Sequence, residues 1–218
     1  GRGCALAIFM LAGLGLSLPL SAKDSSNARI QAAEVRVDFT PAKISRKSAK
    51  GNAGVAQRSV TIDDPVRVAS ISKLVVALGV MRLVEQGKLD LDRDVNAYLG
   101  WSVRNPAFPD APITLRHILS HRSGLRDNVD YIVPLDGDLS QVLVANMAWD
   151  LTHQPGDYFS YANINSPLIA AIMEAATGER FDRLMARLVL EPMRLDACYN
   201  WGAGCSAGRR AQAVTLLR

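Results

Sequence analysis

The sequence predicts an α+β domain that is mostly helical, with a small β portion near its N-terminal end. Three observations lead to this prediction. A nearly unbroken apolar run follows Lys73 and ends at Gly87, a second apolar segment over residues 166–178 is bounded by helix signals, and short alternating segments precede both. The composition, 49% hydrophobic and 21% charged, is that of an ordinary globular protein.

The first 22 residues have the features of a secretory signal peptide. Arg2 precedes an uncharged apolar stretch over residues 5–20, and small residues follow it at Ser21 and Ala22. The stretch is interrupted by Gly and Pro and is shorter than the roughly 20 residues that span a bilayer. We therefore expect cleavage near Ala22, export to the periplasm or the medium, and no stable membrane anchor.

Residues 23–50 are polar and basic, and we interpret them as a linker or N-terminal segment that leads into a domain over residues 51–218. Early in this domain, residues 59–62 and 66–68 alternate like strands at the edge of a sheet, with a turn at the intervening Asp-Asp-Pro. The net charge of +4 comes from dispersed Lys and Arg with few aromatic residues nearby, so a nucleic-acid partner is not indicated.

Ser70 opens the first predicted helix, and Lys73 follows it by one helical turn. Residues three apart share a helix face with Cβ atoms about 5–6 Å apart, so the hydroxyl and the amine should be neighbours. A serine becomes a good nucleophile when an adjacent base takes its proton, and a lysine kept neutral by burial is such a base. The apolar run after Lys73 predicts a buried helix that would supply this burial. A helix cap followed by a solvated lysine is the alternative.

The N–H of Ser70 gives the start of this helix a second possible role. The first N–H groups of a helix have no partner within it, so they can hold a developing oxyanion. We therefore expect the backbone at Ser70 to contribute to the same site as its hydroxyl.

Thr114 is predicted to cap a short helix that ends before Gly124. His117 and His121 within this block are four positions apart and could face one zinc ion, but no third ligand has a suitable spacing. Packing and hydrogen bonding in a loop is therefore the preferred interpretation, and no metal site is predicted. After a loop, residues 139–149 are expected to form a modest amphipathic helix.

Tyr161 and Asn163 lie in an irregular stretch just before the helix predicted over residues 166–178, which has a proline in its first position. Loop residues held by rigid helices commonly carry chemistry. A phenol beside a positive charge ionises more readily, so Tyr161 could share proton transfer with Lys73. Asn163 offers an amide that could orient Lys73 or bind a substrate carbonyl. An aromatic core residue is the alternative for Tyr161.

Two cysteines, Cys198 and Cys205, remain after removal of the signal peptide. The intervening Tyr-Asn-Trp-Gly-Ala-Gly is flexible enough to close a small loop, and export makes a disulfide chemically possible. Two free thiols are the other alternative.

Five motifs can be read together: Ser70-Ile71-Ser72-Lys73, Tyr161-Ala162-Asn163, the block over residues 117–125, Gln154-Pro155-Gly156 and Leu190-Glu191-Pro192-Met193. The first two stand 91 positions apart (161 minus 70). With these motifs the chain resembles, over residues 51–201, the serine β-lactamase and penicillin-binding-protein family. The resemblance is to the branch of class C β-lactamases, D-alanyl-D-alanine carboxypeptidases and esterases.

The resemblance implies a β-lactamase/transpeptidase-like fold, in which helices pack on an antiparallel sheet, and a reaction that needs no cofactor. It implies Ser70 as the acylated nucleophile, Lys73 and Tyr161 as the shared general base and acid, and Asn163 as a partner of substrate or lysine. Which of Lys73 and Tyr161 takes the proton stays open. The expected protein is an exported serine hydrolase that forms an acyl-enzyme with an amide, a β-lactam or an ester, including D-Ala-D-Ala peptides.

One motif of the family is missing. The family carries Lys or His, a variable residue and Gly on a strand well after the tyrosine, but this chain has no Lys after Lys88 and no His after His153. We therefore expect a C-terminally truncated domain without the later strands, with exposed apolar helix surface and little or no activity by itself. A non-catalytic binding or sensing module, or an inactive fragment of the enzyme, is the alternative.

Overall fold

A computed structural model describes residues 33–53, 58–134 and 137–214 of the chain. Two small antiparallel sheets come first and a helical region follows, which confirms the predicted α+β class with a helical majority. The predicted signal peptide, residues 1–22, lies outside the described residues. None of the helices in the described part of the chain combines the length and the hydropathy of a membrane span.

The β portion consists of two strand pairs. Strand β1 (Glu34–Phe39) pairs antiparallel with β2 (Ile44–Lys50), so the described part of the segment expected as a linker contains a hairpin. Strand β3 (Asn52–Ala53) pairs antiparallel with β4 (Arg58–Ser59). Val60 adds one further hydrogen bond by donating to the carbonyl of Gly51 at 3.0 Å.

The strands predicted over residues 59–62 and 66–68 are therefore largely wrong. A strand needs a neighbouring backbone to satisfy its N–H and C=O groups. In the structure, pairing stops after Val60, and residues 66–68 lead directly into the turn that carries Ser70.

The helical part begins with a 3₁₀ turn, Ala69–Ile71, that leads into helix α1. The helices are α1 (Ser72–Glu85), α2 (Asn96–Leu99), α3 (Leu115–Leu119), α4 (Leu139–Leu143), α5 (Asn165–Thr177), α6 (Phe181–Met185) and α7 (Ala207–Gln212). A second 3₁₀ turn, Asn146–Ala148, precedes α5, and α6 continues into a π-helical turn, Ala186–Leu190.

Helix α1 is buried on one side only. Gly79, Val80 and Leu83 face the core, whereas Leu74 and Met81 are 66% and 46% exposed. The predicted burial on nearly every side is wrong, because the described residues pack against one face of the helix. The expectation of exposed apolar helix surface is met.

Helix α5 lies at the centre of the fold, in contact with α2, α3 and α6. Its Leu168, Ile172 and Met173 are fully buried. The helix starts one residue earlier than predicted, so its proline is the third helical residue, where an N–H has no partner within the helix in any case. As predicted, Gly178 ends the helix; it has a φ of 70° and donates to the carbonyl of Glu174.

The single helix expected over residues 139–149 is shorter in the structure. Helix α4 ends at Leu143, and the chain is extended at Trp149, which forms an antiparallel bridge with Leu125. Backbone hydrogen bonds on both sides of the bridge, including Asp150 N–H to the Gly124 carbonyl at 2.7 Å, require this extended backbone. Tertiary pairing thus overrides the amphipathic pattern.

Cys198 and Cys205 are joined by a disulfide, which decides between the two alternatives left by the sequence. Tyr199, in the loop that it closes, packs edge-on against Phe181 with ring centroids 5.2 Å apart. Its hydroxyl donates to the carbonyl of Ser72 at 3.1 Å, and burial raises the pKa of Tyr199 to about 12. This loop therefore connects the C-terminal part of the fold to the first turn of α1.

Candidate active site

Ser70 lies in the 3₁₀ turn that precedes α1, and Lys73 lies in the first turn of α1 itself. The Nζ atom of Lys73 is 3.1 Å from the Oγ atom of Ser70, as their spacing predicts. The residue before the serine, Ala69, has a φ of 46°, in the left-handed region that a side chain makes costly. The backbone therefore turns sharply into the serine.

Tyr161 and Asn163 bring a second segment to this pair. The hydroxyl of Tyr161 is 2.8 Å from Ser70 Oγ and 2.8 Å from Lys73 Nζ. The Oδ1 atom of Asn163 accepts a hydrogen bond from Lys73 at 3.0 Å. The structure thus unites all four site residues predicted from the sequence. Tyr161 is 49% exposed, so it is not the core aromatic residue that was its alternative.

The segment before Tyr161 runs beside the turn that follows α3. Gly156 donates to the carbonyl of Arg122 at 2.7 Å, and Ser160 donates to the carbonyl of His121 at 2.8 Å. Gly156 has a φ of 101°, and a Cβ atom there would lie 3.1 Å from Nε2 of His117. Glycine at this position therefore allows both the turn and the close approach.

His121 packs directly on the tyrosine. The two rings have centroids 4.5 Å apart, and the Nδ1 atom of His121 accepts from the N–H of Ala162 at 3.3 Å. Burial, followed by the positive charge of Lys73, lowers the pKa of His121. The imidazole is therefore neutral at neutral pH and can use Nδ1 as an acceptor.

His117 and His121 do not lie on one face of a helix. Helix α3 ends at Leu119, and His121 beyond it has a φ of 56°, so the spacing of His117 and His121 no longer places them on one face. Thr114 caps this helix as predicted, accepting from the N–H of His117. Across the three described ranges, no group of three or more His, Cys, Asp or Glu residues is arranged to hold a metal ion.

The buried side-chain amide of Asn165 stabilises the segment that carries Tyr161. Asn165, 1% exposed, donates from Nδ2 to the carbonyl of Ala162 at 3.1 Å and lies 3.2 Å from His121 Nδ1. Its Oδ1 accepts from the hydroxyl of buried Ser123 at 2.8 Å. The first residue of α5 is therefore linked to the loop that carries Tyr161.

Asp127 holds the next part of the same segment. One carboxylate oxygen accepts from the backbone N–H of Asn163 at 2.8 Å and from its Nδ2 at 2.9 Å. The other oxygen accepts from the N–H of Ile164 at 3.0 Å. Sequence reasoning missed this residue and also Asn165 and Tyr199; the signal for Asp127 was a carboxylate two positions after the 117–125 block.

The electrostatics of the site centre on Tyr161. The hydrogen bond from Lys73 is the main cause that lowers the pKa of Tyr161, and the hydrogen bond with Ser70 adds to it. Because phenolate is a stronger acceptor than phenol, the lowered pKa makes Tyr161 a candidate proton acceptor for Ser70.

A cavity of about 90 Å³ lies behind Lys73, between α1, α3 and α5. Its walls combine apolar side chains with the polar groups of the site: Val76, Ala77, Ile118, Leu119 and Ile169 with Lys73, His121, Asn165 and Ser166. The stem of Lys73 thus borders apolar surface, while its amine points to the three oxygen atoms described above.

The chain is similar in sequence to a known protein family and to several of its members. A family model described as Beta-lactamase matches residues 44–214. Esterase EstB of Burkholderia gladioli is 30% identical over 161 residues, which cover 66% of this chain and 40% of EstB. Protein flp of Staphylococcus aureus (strain N315) is 26% identical over 131 residues, which cover 59% of this chain and 26% of flp.

Solved structures show the same fold. The beta-lactamase/D-alanine carboxypeptidase of Yersinia pestis, complexed with citrate, superposes with a TM-score of 0.67 at 21% identity, over 85% of this chain and 53% of that protein. The chain thus spans about half of this structure and 26–40% of the two curated relatives.

Proposed function

The chain belongs to the beta-lactamase family, and from this premise we propose that it carries the nucleophile and proton-transfer groups of an exported serine hydrolase that forms an acyl-enzyme at Ser70. The observation that carries the proposal is the triangle of Ser70, Lys73 and Tyr161, whose three polar atoms lie 2.8–3.1 Å from one another. A nucleophile within hydrogen-bond distance of its base is the arrangement that nucleophilic catalysis needs.

Tyr161 is the proposed general base. Lys73 meets three oxygen acceptors, on Ser70, Tyr161 and Asn163, and an ammonium has three N–H donors to fill them. The earlier hypothesis of a lysine made neutral by burial has less support, because α1 is half-exposed around the site. An ammonium that stabilises a phenolate fits the lowered pKa of Tyr161.

In the proposed reaction, Ser70 Oγ attacks the acyl carbon while its proton passes to the Tyr161 phenolate over 2.8 Å. The bond from the acyl carbon to the leaving group breaks, and Tyr161 returns the proton to that group. Water then attacks the acyl-enzyme, giving its proton to Tyr161, and Ser70 leaves with that proton as a hydroxyl. Lys73 remains an ammonium throughout.

The developing negative charge on the substrate oxygen needs backbone donors. Ser70 lies in the turn that opens α1, where the first N–H groups have no partner within the helix, and its N–H is the proposed donor within this chain. The side-chain amide of Asn163 also lies near the reacting groups, but its Oδ1 accepts a hydrogen bond from Lys73. The main proposed role of Asn163 is therefore to orient Lys73, and contact with the substrate is a second role.

The proposed substrate class is a carboxylic acid derivative: an ester, an amide or a β-lactam, including a D-Ala-D-Ala peptide. An ester is the first candidate, because EstB, the relative at 30% identity, is named an esterase. Proton transfer from Tyr161 would release the alcohol of an ester as a neutral leaving group.

Export is part of the proposal. The uncharged stretch over residues 5–20 supports it, and so does the Cys198–Cys205 disulfide, since disulfides persist mainly outside the cytosol. N-terminal sequencing of the protein from fractionated cells tests this directly. A mature N-terminus near residue 23 in the periplasm or medium supports export, and an intact N-terminus in the cytosol contradicts it.

The activity is tested by intact mass after incubation with a fluorescent penicillin and, separately, with a fluorophosphonate. The full-length gene product and the 218-residue chain are treated in parallel with their Ser70→Ala variants. We expect an adduct that depends on Ser70, first of all with the fluorophosphonate. The probe that reacts narrows the substrate class.

A non-catalytic binding module is the second candidate, since the fold by itself does not establish turnover. The same experiment separates the two candidates. A folded full-length protein that gives no Ser70-dependent adduct with either probe contradicts the enzyme and leaves the binding module.

A further inference from the structure

The three N–H donors around Asp127 determine which way the Asn163 side chain points. A carboxylate only accepts hydrogen bonds, so the group of Asn163 that faces Asp127 at 2.9 Å must be the NH₂ of Nδ2. The other end of the amide, Oδ1, is then left for Lys73 at 3.0 Å. Asp127 thus fixes an orientation that an amide by itself does not have.

The backbone contacts of Asp127 hold the same segment in place. Both oxygens are used, one by the N–H of Asn163 at 2.8 Å and one by the N–H of Ile164 at 3.0 Å. Asp127 is partly buried, and it stands 36 positions before Asn163 in the chain. It does not contact Ser70, Lys73 or Tyr161 by any hydrogen bond between described residues, so any effect on the reaction passes through Asn163.

We propose that Asp127 is a positioning residue for this site: through the amide of Asn163 it presents the acceptor that holds the Lys73 amine beside Tyr161. The proposal rests on the proposed function, because it needs Ser70 to be the nucleophile and Tyr161 to be its base. It adds the group that orients the acceptor by which Lys73 is held next to that base.

The same contacts predict what happens without the carboxylate. In Asp127→Asn only one acceptor oxygen remains, so the new NH₂ group faces either Asn163 or the N–H of Ile164 and meets a donor in both cases. Either arrangement disturbs the segment that carries Asn163, and where the NH₂ faces Asn163, that amide can turn over and direct its own NH₂ at Lys73. Lys73 then loses an acceptor and is held less firmly beside Tyr161.

Three parts of the described chain bring charged or titratable groups to Tyr161 and Asn163. His121 packs on Tyr161 from the turn after α3, Asp127 lies behind Asn163, and Lys73 faces Tyr161 from α1. In the proposed mechanism, the rate rises with pH as Tyr161 loses its proton, and the hydrogen bond from Lys73 lowers the pKa of Tyr161. The rising limb of the profile therefore reports on the contact between Lys73 and Tyr161 that Asp127 supports.

The test measures the rate of Ser70 labelling by a fluorophosphonate from pH 5 to 11 in the full-length protein and its variants. For Asp127→Asn we expect a rate about 10-fold to 100-fold lower, the cost of a misplaced catalytic contact. We also expect the rising limb to move to higher pH, because a displaced Lys73 lowers the pKa of Tyr161 less. Asp130→Asn, at an exposed carboxylate on the same loop, is the matched control and should label like the wild type.

A compensating variant tests the orientation itself. In Asp127→Asn with Asn163→Asp, the new carboxylate at 163 accepts from the new amide at 127 and still presents an oxygen to Lys73. We expect this double variant to recover most of the lost rate and to return the rising limb toward the wild-type position. A residue that only held the loop would show neither the shift of the limb nor this rescue.

The outcomes are distinguishable. Without any Ser70-dependent labelling of the wild type, the proposed function fails. With a labelled wild type, the positioning role fails if Asp127→Asn labels at the wild-type rate, or loses rate with an unmoved rising limb and no rescue. If neither variant folds where Asp130→Asn does, the role fails as well, because Asp127 would then be needed for the fold.

Discussion

The hydroxyl of Tyr161 lies 2.8 Å from the Oγ atom of Ser70, although 91 positions of the chain separate the two residues. Lys73 bonds to both oxygens, so the three side chains form a closed triangle at the start of α1. The geometry of this triangle makes each member separately testable.

Tyr161→Phe removes the proposed base and little else. We expect the rate of Ser70 acylation to fall about 10²-fold to 10⁴-fold, the usual contribution of general base catalysis. The ring is 49% exposed, so the melting temperature should hardly change. Tyr158→Phe has the same 49% exposure and lies outside the triangle, which makes it the matched control for labelling rate and thermal melt. Equal rates in the two variants would contradict the role of Tyr161.

Lys73→Met should move the pH dependence as well as the rate. The hydrogen bond from Lys73 is the main cause of the lowered pKa of Tyr161, so its removal returns that pKa upward. Because phenolate is the active form, less of it is present at a given pH, and the rising limb of the labelling profile shifts to higher pH. A profile that falls in height but keeps its rising limb would mean that Lys73 acts otherwise, for example as the base itself.

Two histidines should make the fold sensitive to mild acid. Burial lowers the pKa of His117 and of His121 in the folded state below the ordinary value of 6.5. The unfolded chain therefore binds protons first, and stability falls as the pH drops from about 6.5 through the folded pKa values. Thermal melts between pH 8 and 4.5 should show this decline.

Replacement of each histidine isolates its share of that decline. His117→Gln and His121→Gln should each flatten the profile between pH 6.5 and 4.5 and should run parallel to the wild type from pH 7 to 8, where both states are neutral. Parallel profiles over the whole range would contradict the assignment of the acid sensitivity to these two side chains.

The disulfide loop should stabilise the first turn of α1 from a distance. Replacing Cys198 and Cys205 by Ser is expected to cost about 2–3 kcal/mol of unfolding free energy. Tyr199→Phe, which removes only the hydrogen bond to the Ser72 carbonyl, should cost about 1 kcal/mol. Urea denaturation measures both. A Tyr199→Phe variant as unstable as the double serine variant would mean that the tyrosine, and not the covalent link, holds the loop.

Ala69→Gly tests the backbone strain before the nucleophile. At a φ of 46° a Cβ atom is unfavourable, so glycine should be neutral or should stabilise by up to about 1 kcal/mol. Ala77→Gly, the same change inside α1, should instead destabilise by about 1 kcal/mol. Chemical denaturation of the two variants gives the comparison, and equal losses would show that Ala69 is not strained.

The sequence predicted the local features of this site well, because short-range geometry determines them. Ser70 and Lys73 are one turn apart, so any helix there must bring them together. Thr114 begins α3 and Gly178 ends α5 as predicted, since an N-cap oxygen and a left-handed glycine act within a few residues. Tyr161 and Asn163 could be added only through motif order and resemblance.

Other features depended on partners that no local pattern reveals. The helix expected over residues 139–149 is interrupted because Trp149 pairs with Leu125. The strand expected at 66–68 is absent there because pairing ends at Val60. Helix α1 has an apolar sequence on most sides, yet only the face with Val80 and Leu83 meets the core.

By itself, then, the sequence determined the α+β class, the order of the main helices and four candidate site residues, since these follow from periodicity, capping, motif order and the resemblance to a known family. Only the tertiary structure decided how the groups are charged and oriented. Asp127 meets Asn163 across 36 positions, and His121 leaves its helix before it packs on Tyr161. Hydrogen-bond direction and electrostatic environment are properties of atoms close in space, and residues distant in the chain supply most of them here.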